Sequence, residues 1–258
     1  MSRFGATQDN TFPSETIRMP SENDTALTTP HDVALCVFAT GRYLEFVSDL
    51  VATAREHFLP DLCPSIVVFG DRCANDVAHN FFVPWLPWPL GTLLRYHFLV
   101  TQAPFLREQY QYIFMCDADM RFVGPVGHEI LGRLVAALYD PLGPQPTSLA
   151  LPFCRDPKST SYVPPDHDGR YMAGGFQGGE SDAYLDACAA LGDMVAHDLA
   201  QGIIAPWHDE SYWNAYLVAH PPDIVLSTAY CTHEQHQDEN TKLVALVKDH
   251  ASYRGPPA

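Results

Sequence analysis

The sequence is short of charge, and shorter still of positive charge. Asp, Glu, Lys and Arg make up 18% of its 258 residues, and 15 basic side chains face 31 acidic ones, a formal net charge of -16. Nucleic acid is therefore excluded as a partner, because phosphate backbones are held by basic surfaces. A single nucleotide, which needs a few local cations and a metal, is not excluded. No apolar run approaches the roughly 20 residues of a spanning helix, and no signal peptide opens the chain. The expectation is a soluble, cytoplasmic protein without an integral membrane segment. No C-x-x-C pair occurs among the seven cysteines. Their number is odd, and Cys36 and Cys116 lie in apolar runs, so they read as reduced, buried thiols. H-E-x-x-H is missing, which removes a zinc protease, and the glycines lack dinucleotide-fingerprint spacing. No internal repeat is visible. Hydrophobic residues are plentiful at 47%, enough to give one large α/β domain or two small ones a core.

The chain is organised around YIFMCDADMRF, residues 112–122. A short run of β-preferring residues leads into Asp117 and Asp119 and reads as a buried strand with two carboxylates at its end. Ligands of open α/β sheets gather at the carboxyl ends of strands. Two acids there repel and lose hydration unless a cation joins them, and a divalent metal that also holds a diphosphate suits the pair. A solvated acidic turn is the structural alternative.

Residues 1–30, poor in apolar side chains, read as a flexible tail. Strands are expected at 33–40, 65–71 and 223–228, the last strand of the chain. An amphipathic helix follows Gly41, with Tyr43, Phe46, Val47, Leu50, Val51 and Ala54 at helical spacing. FFVPWLPWPLG (81–91) reads as a surface loop leading into a helix over 91–106, with Thr92 as a possible N-cap. EILGRLVAALY (129–139) has the pattern of a short amphipathic helix. Residues 140–170 read as a long functional loop around one strand-like piece, 148–153. Ser181–Gly202 is the clearest helix, with Ser181 able to cap it and Gly202 to end it. Strand–helix alternation to about residue 140 predicts a parallel sheet in an α/β fold, with the later chain laid over its carboxyl edge.

Other candidate chemistry has structural alternatives beside it. MAGGFQGG (172–179) reads as a tight turn, or as backbone that must approach a ligand such as a sugar ring. Trp207, His208, Asp209 and Glu210 fall at an expected helix start, where the dipole favours acids; they also make a carboxylate pair beside a flat aromatic, suited to carbohydrate. His233 and His236, with Glu234 and Asp238, suit a solvated loop better than a metal. Lys248 and Arg254 are scarce cations near the terminus, either solvated or able to close over a diphosphate.

FATGRY, CDADM, AGGFQGG, WHDES and KDHASYR, in that order, resemble the retaining α-1,3-galactosyl and N-acetylgalactosaminyl transferases of glycosyltransferase family 6. The resemblance runs from Val33 to Arg254. It implies a single-domain GT-A fold, with a catalytic domain over 31–235 and a C-terminal lid over 236–258. It implies a UDP-sugar donor, a glycan acceptor, and Mn²⁺ or Mg²⁺. By motif position, Phe38, Ala39, Thr40 and Tyr43 hold the uridine. Arg95, Asp117, Ala173, Gly174, Gly175 and Asp209 surround the donor sugar. Asp117 and Asp119 hold the metal, and Trp207 and His208 meet the acceptor. Glu210 is the catalytic carboxylate, and Lys248, His250 and Arg254 cover the diphosphate. Segment 140–160 and the stretch after Tyr230 depart from the family's pattern. A metal-dependent nucleotide-sugar hydrolase or nucleotidyltransferase, or a non-catalytic glycan-binding protein on the same scaffold, would share these residues.

Overall fold

The computed structural model describes residues 31–139, 151–167 and 169–254, with the backbone alone for His31, Asp32, Ala251 and Arg254. The expected N-terminal tail and residues 148–150 of the strand-like piece lie outside the described residues, and Leu151–Phe153 form no strand.

The chain runs β1 (His31–Ala39), α1 (Leu44–His57), β2 (Ser65–Gly70) and β3 (His79–Phe82). Three short helices follow, α2 (Leu90–Leu93), α3 (Arg95–Thr101) and α4 (Ala103–Gln109), then β4 (Tyr110–Asp117) and β5 (Met120–Phe122). Next come β6 (Val135–Leu138), β7 (Met172–Glu180), α5 (Ser181–Ala200) and α6 (His208–Ala219). The last elements are β8 (Ile224–Leu226), β9 (Thr232–His233), β10 (Leu243–Ala245) and α7 (His250–Arg254).

Seven strands form the main sheet in the order β3-β2-β1-β4-β7-β6-β8, and β5-β10-β9 form a small second sheet. The pleat divides the core between the two faces of the main sheet. Val33, Leu35, Val37 and Ala39 of β1 point to the side of α1 and the small sheet, while Ala34 and Cys36 point to the side of α3–α6. On β4, Phe114 and Cys116 take the first face, and Ile113 and Met115 the second. Period-2 alternation then sends Asp117 toward α3. Buried Val47, Leu50, Val51 and Ala54 confirm the expected apolar face of α1.

The α/β class is as expected, but the sheet is mixed. β1–β4 are mutually parallel, whereas β7 enters beside β4 antiparallel and pairs antiparallel with β6 as well. MAGGFQGG is thus the strand β7 itself rather than a turn. Its glycines leave no side chain at the points where other parts of the protein come nearest. The 129–139 segment is not a helix: a 3₁₀ turn (His128–Ile130) precedes strand β6. Its apolar run is short enough to serve either period, and pairing with β7 and β8 decides. The helix expected over 91–106 is broken into α2, α3 and α4, with Pro104 in the first turn of α4. Thr92 caps nothing. Residues 81–82 belong to β3. Ser181 does not cap α5 either; its hydroxyl donates to the Tyr110 carbonyl at 2.6 Å. Gly202 does end the helix, at φ +70°. β10 lies within the stretch expected to be a lid, with Leu243 and Val244 fully buried.

β7 is irregular where it matters. Ala136 pairs with Gln177 and Leu138 with Met172, so two steps on β6 oppose five on β7. This bulge contains Ala173–Phe176. Bulges re-aim side chains next to functional sites. Here Gly174 faces Arg95, on the α3–α6 side, and Gly175 faces Met120 and Cys231, on the small-sheet side.

Two glycine substitutions should part company. A Cβ on Gly178 would lie 2.5 Å from Phe114 Cδ1 and 2.7 Å from its Cα. Gly178→Ala should therefore cost about 1–3 kcal/mol, the usual cost of overpacking. Within α5, a Cβ on Gly192 meets nothing nearer than 3.8 Å. Gly192→Ala should be neutral or stabilise by up to about 1 kcal/mol. Urea denaturation of the two variants checks both.

Candidate active site

The site is built where β4, β7 and the start of α6 meet under α2 and α3. α6 begins at His208, whose φ of +50° is left-handed, and Trp207 sits at its N-cap with its N–H donating to Ser211 Oγ at 3.0 Å. Asp209 and Glu210 follow in the first turn, where the helix dipole favours acids. One turn on, Asn214 fastens the helix to β7. It accepts from Met172 N (2.7 Å) and donates to Met172 O (2.8 Å) and to Glu210 O (2.9 Å).

Glu210 is held at both oxygens. Gly174 N donates to Oε2 at 2.7 Å and the Tyr171 hydroxyl to Oε1 at 2.8 Å. A Cβ on Gly174 would come 3.1 Å from Glu210 Cβ, so the glycine lets backbone and carboxylate approach. Burial nevertheless raises the carboxyl from 4.5 to about 7, against the pull of those two bonds, and nearby Asp209 and Asp117 push the same way.

Arg95, 4% exposed, joins the parts. Its guanidinium pairs with Asp117 at 2.6 Å, pairs with Asp209, and donates to Gly174 O at 2.9 Å. Burial opposes its charge, but Asp209 and Asp117 more than offset this and hold it protonated. Thr92 Oγ1 donates to Asp209 Oδ1 at 2.6 Å, a role the cap reading missed.

One cleft gathers most of the expected residues. Phe38, Thr40, Tyr43, Arg95, Asp117, Asp119, Gly174, Gly175, Trp207, His208, Asp209, Glu210, Lys248 and His250 all line it. Ala39 and Ala173 are buried and do not line it, and the Arg254 side chain lies outside what is described. His233 and His236 are also away from it. Trp85, Trp88, Thr92 and Tyr253 line the cleft too, beyond the residues expected there. The Trp-Pro stretch 84–89 carried a usable sign, since exposed aromatics in a long loop mark binding surfaces. The Trp88 ring lies 4.5 Å from His208.

The C-terminal end closes one side of the cleft. Lys248 pairs with Asp119, both side chains about one-tenth exposed, and lies 5.6 Å over the Tyr43 ring. α7 docks on the start of α1. Tyr253 packs 5.5 Å from Tyr43 and 5.0 Å from Phe46, under the Arg42 guanidinium.

Among the described residues no three metal-ligating side chains cluster. Asp117 and Asp119 are a two-carboxylate set, and each already meets a protein cation. That set suits a hard divalent ion that takes its remaining ligands from phosphate and water, once Lys248 is drawn off Asp119.

Folded Glu210 titrates near 7, and the unfolded chain near 4.5. The folded state thus binds this proton more tightly, so the group's stabilisation is full below about 4.5 and lost as pH rises through about 7. Gln cannot ionise, and its amide can serve the same two partners. Glu210→Gln should therefore gain thermal stability over the parent as pH is raised from 5 to 8. Melting curves across that range check it.

Comparison with known proteins yields a family match. The profile of Glycosyltransferase family 6 matches residues 99–254. Histo-blood group ABO system transferase 1 of Rattus norvegicus is 31% identical over 245 residues, 86% of this chain and 68% of the relative. Globoside alpha-1,3-N-acetylgalactosaminyltransferase 1 of Canis lupus familiaris is 29% identical over 213 residues, 77% of this chain and 60% of the relative. O-antigen biosynthesis glycosyltransferase WbnI of Escherichia coli is 26% identical over 223 residues, 84% of this chain and 94% of the relative.

Proposed function

The chain belongs to glycosyltransferase family 6, as a GT-A hexosyltransferase working between a nucleotide-sugar donor and a glycan acceptor, and we propose that it moves GalNAc from UDP-GalNAc to a galactose-ended glycan. The new bond is α-1,3, formed with retention and with a divalent cation, Mn²⁺ or Mg²⁺. Among the described residues, no helix is long and apolar enough to cross a membrane.

The observation that carries this reading is the convergence of Asp117, Asp119, Glu210 and Lys248 on one cleft. Charge balance argues for the cation. Among the described residues, four carboxylates line the cleft (Asp117, Asp119, Asp209 and Glu210), against two cations, Arg95 and Lys248. A diphosphate added there makes the excess worse. A divalent ion on the two strand-end acids would neutralise charge on the departing diphosphate. Lys248 would turn from Asp119 to the phosphates, its charge-assisted partner in the donor complex.

Around the sugar, the protein's own groups do the rest. Arg95 and Asp209 fix its polar edge, and Phe38, Thr40 and Tyr43 wall the uridine. The exposed Trp207 ring offers a platform to the acceptor sugar. Glu210 stands beside the anomeric carbon. As the bond from that carbon to the diphosphate oxygen breaks, its electron pair leaves with UDP, and the carboxylate stabilises the positive charge left behind. The acceptor hydroxyl then bonds to the same face, and its proton goes to the departing phosphate. Retention holds whether the carboxylate bonds to carbon first or only pairs with the cation.

The donor preference rests on Gly175. Gly175 lines the cleft without a side chain, and a methyl carbon there would sit 3.5 Å from Asp117 Oδ2, with Cys231 Sγ (3.3 Å) and Met120 Sδ (3.5 Å) behind it. That room suits an acetamido group at C2. The buried Ala173 takes no part in the lining.

Release of UDP from UDP-GalNAc, dependent on a fucosyl-galactose acceptor, tests the reading. It should stop in EDTA, return with Mn²⁺, and fall by most of its value in Asp119→Asn. Full activity in chelator overturns the metal requirement. Gly175→Ala should shift the ratio of kcat/KM toward UDP-Gal by about tenfold or more, since the methyl crowds the acetamido. Competition kinetics with the two donors measure it.

A further inference from the structure

Tyr171 is the one group holding the Glu210 carboxylate that has no place in the reaction so far. It immediately precedes β7, is 1% exposed, and does not line the cleft. Its ring is fixed on two sides, 5.1 Å edge-on from Phe153 and 6.0 Å from Tyr139. Its carbonyl accepts from Tyr139 N at 3.1 Å, so both ends of the residue are held. The hydroxyl is aimed at Glu210 Oε1, 2.8 Å away.

We propose that Tyr171 is a positioning residue for Glu210: its hydroxyl fixes the rotation of the carboxylate and keeps it ionised without touching either sugar. This deepens the transferase reading and rests on it for the role of Glu210. The terminal torsion of a glutamate is soft and roughly two-fold, so one hydrogen bond does not set it. Gly174 N alone would act as a pivot. The second donor, on the other oxygen, turns the pivot into a clamp, with the main chain of the residue already fixed by Asn214. Two donors on one carboxylate also favour the charged form over the protonated one. That bias matters here. Burial and the charges of Asp209 and Asp117 all drive the carboxyl toward its neutral form, which can neither attack carbon nor stabilise positive charge. A tyrosine suits the task because its own ionisation is suppressed: burial and the neighbouring Glu210 raise the phenol far above its ordinary value, so it remains a donor throughout the working pH range.

Tyr171→Phe keeps the ring and removes the donor. In the full chain, a ¹³C-NMR titration of the Glu210 carboxyl, assigned by its loss in Glu210→Gln, should move upward by about one to two pH units. The acid limb of kcat for UDP release should move up with it. At its optimum kcat should fall about 10- to 100-fold, with the donor KM little changed. An unmoved titration, or a loss of kcat uniform across pH, overturns the proposal and leaves Tyr171 a packing residue. Site-specific 3,5-difluorotyrosine at 171 gives a second test should the phenylalanine variant not fold. Its more acidic phenol, still the donor, should shift the Glu210 titration downward, and no shift overturns the proposal. The titration needs no turnover. Failure of every acceptor with the parent protein would therefore count against the transferase reading, while the NMR result would still judge Tyr171.

Discussion

A single buried guanidinium holds the site together. Taking a charge such as Arg95 out of water costs several kcal/mol, and that cost is recovered only with good partners on most of its nitrogens. It finds them on three separate pieces of chain: Asp117 at the end of β4, Asp209 in the first turn of α6, and the Gly174 carbonyl in β7. Its Nε has no partner among the described residues, so the balance depends all the more on the two terminal nitrogens. Without this cation, Asp117 and Asp209 would face each other beside Glu210 in a poorly hydrated cleft, and mutual repulsion would open the joint between sheet and helix. The geometry of Glu210 depends on that joint, because its backbone rides on α6 and its carboxylate is tied to β7.

Scarcity of positive charge has a local counterpart. A chain with a net charge of -16 directs two of its cations, Arg95 and Lys248, into one cleft and sets both against acids. Arg95 is nearly sealed by protein and reads as permanent. Lys248 lies on the segment after β10 and can exchange partners at smaller cost, since ammonium on a flexible stem is not tied to one bidentate geometry. The difference between them is that between a charge sealed into the fold and one able to exchange partners.

Much of this was legible in the residues because local preference and tertiary demand agree. β1, β4, α1 and α5 announce themselves by period and burial, and the acids at the end of β4 and the start of α6 sit where strand ends and helix dipoles place function. The parts that were not legible are those where a distant partner decides. Glycines weaken a strand in isolation, so β7 looks like a turn until β4 and β6 are there to pair with it. VAAL in β6 is as good a helix as a strand until it meets β7 and β8. Thr92 looks like a cap, and its hydroxyl instead reaches Asp209, 117 positions away. Tyr171 gives no local sign at all, because nothing in the neighbouring sequence says which carboxylate a buried phenol will find.

The antiparallel entry of β7 beside β4 also fixes when the protein can become itself during synthesis. β4 is complete by Asp117, yet its neighbour begins at Met172, so more than fifty further residues must be made before that edge is covered. Until then the nascent sheet presents Ile113–Cys116, an apolar row with unpaired amides and carbonyls, to whatever else is nearby. Contacts so far apart in sequence form slowly, and such edges are where growing chains associate wrongly. Asp117, sitting at the end of that row, spends the interval without Arg95's other two partners. The half-made chain therefore carries a charged group at the very edge most exposed to mispairing, where a carboxylate acts as a gatekeeper against association.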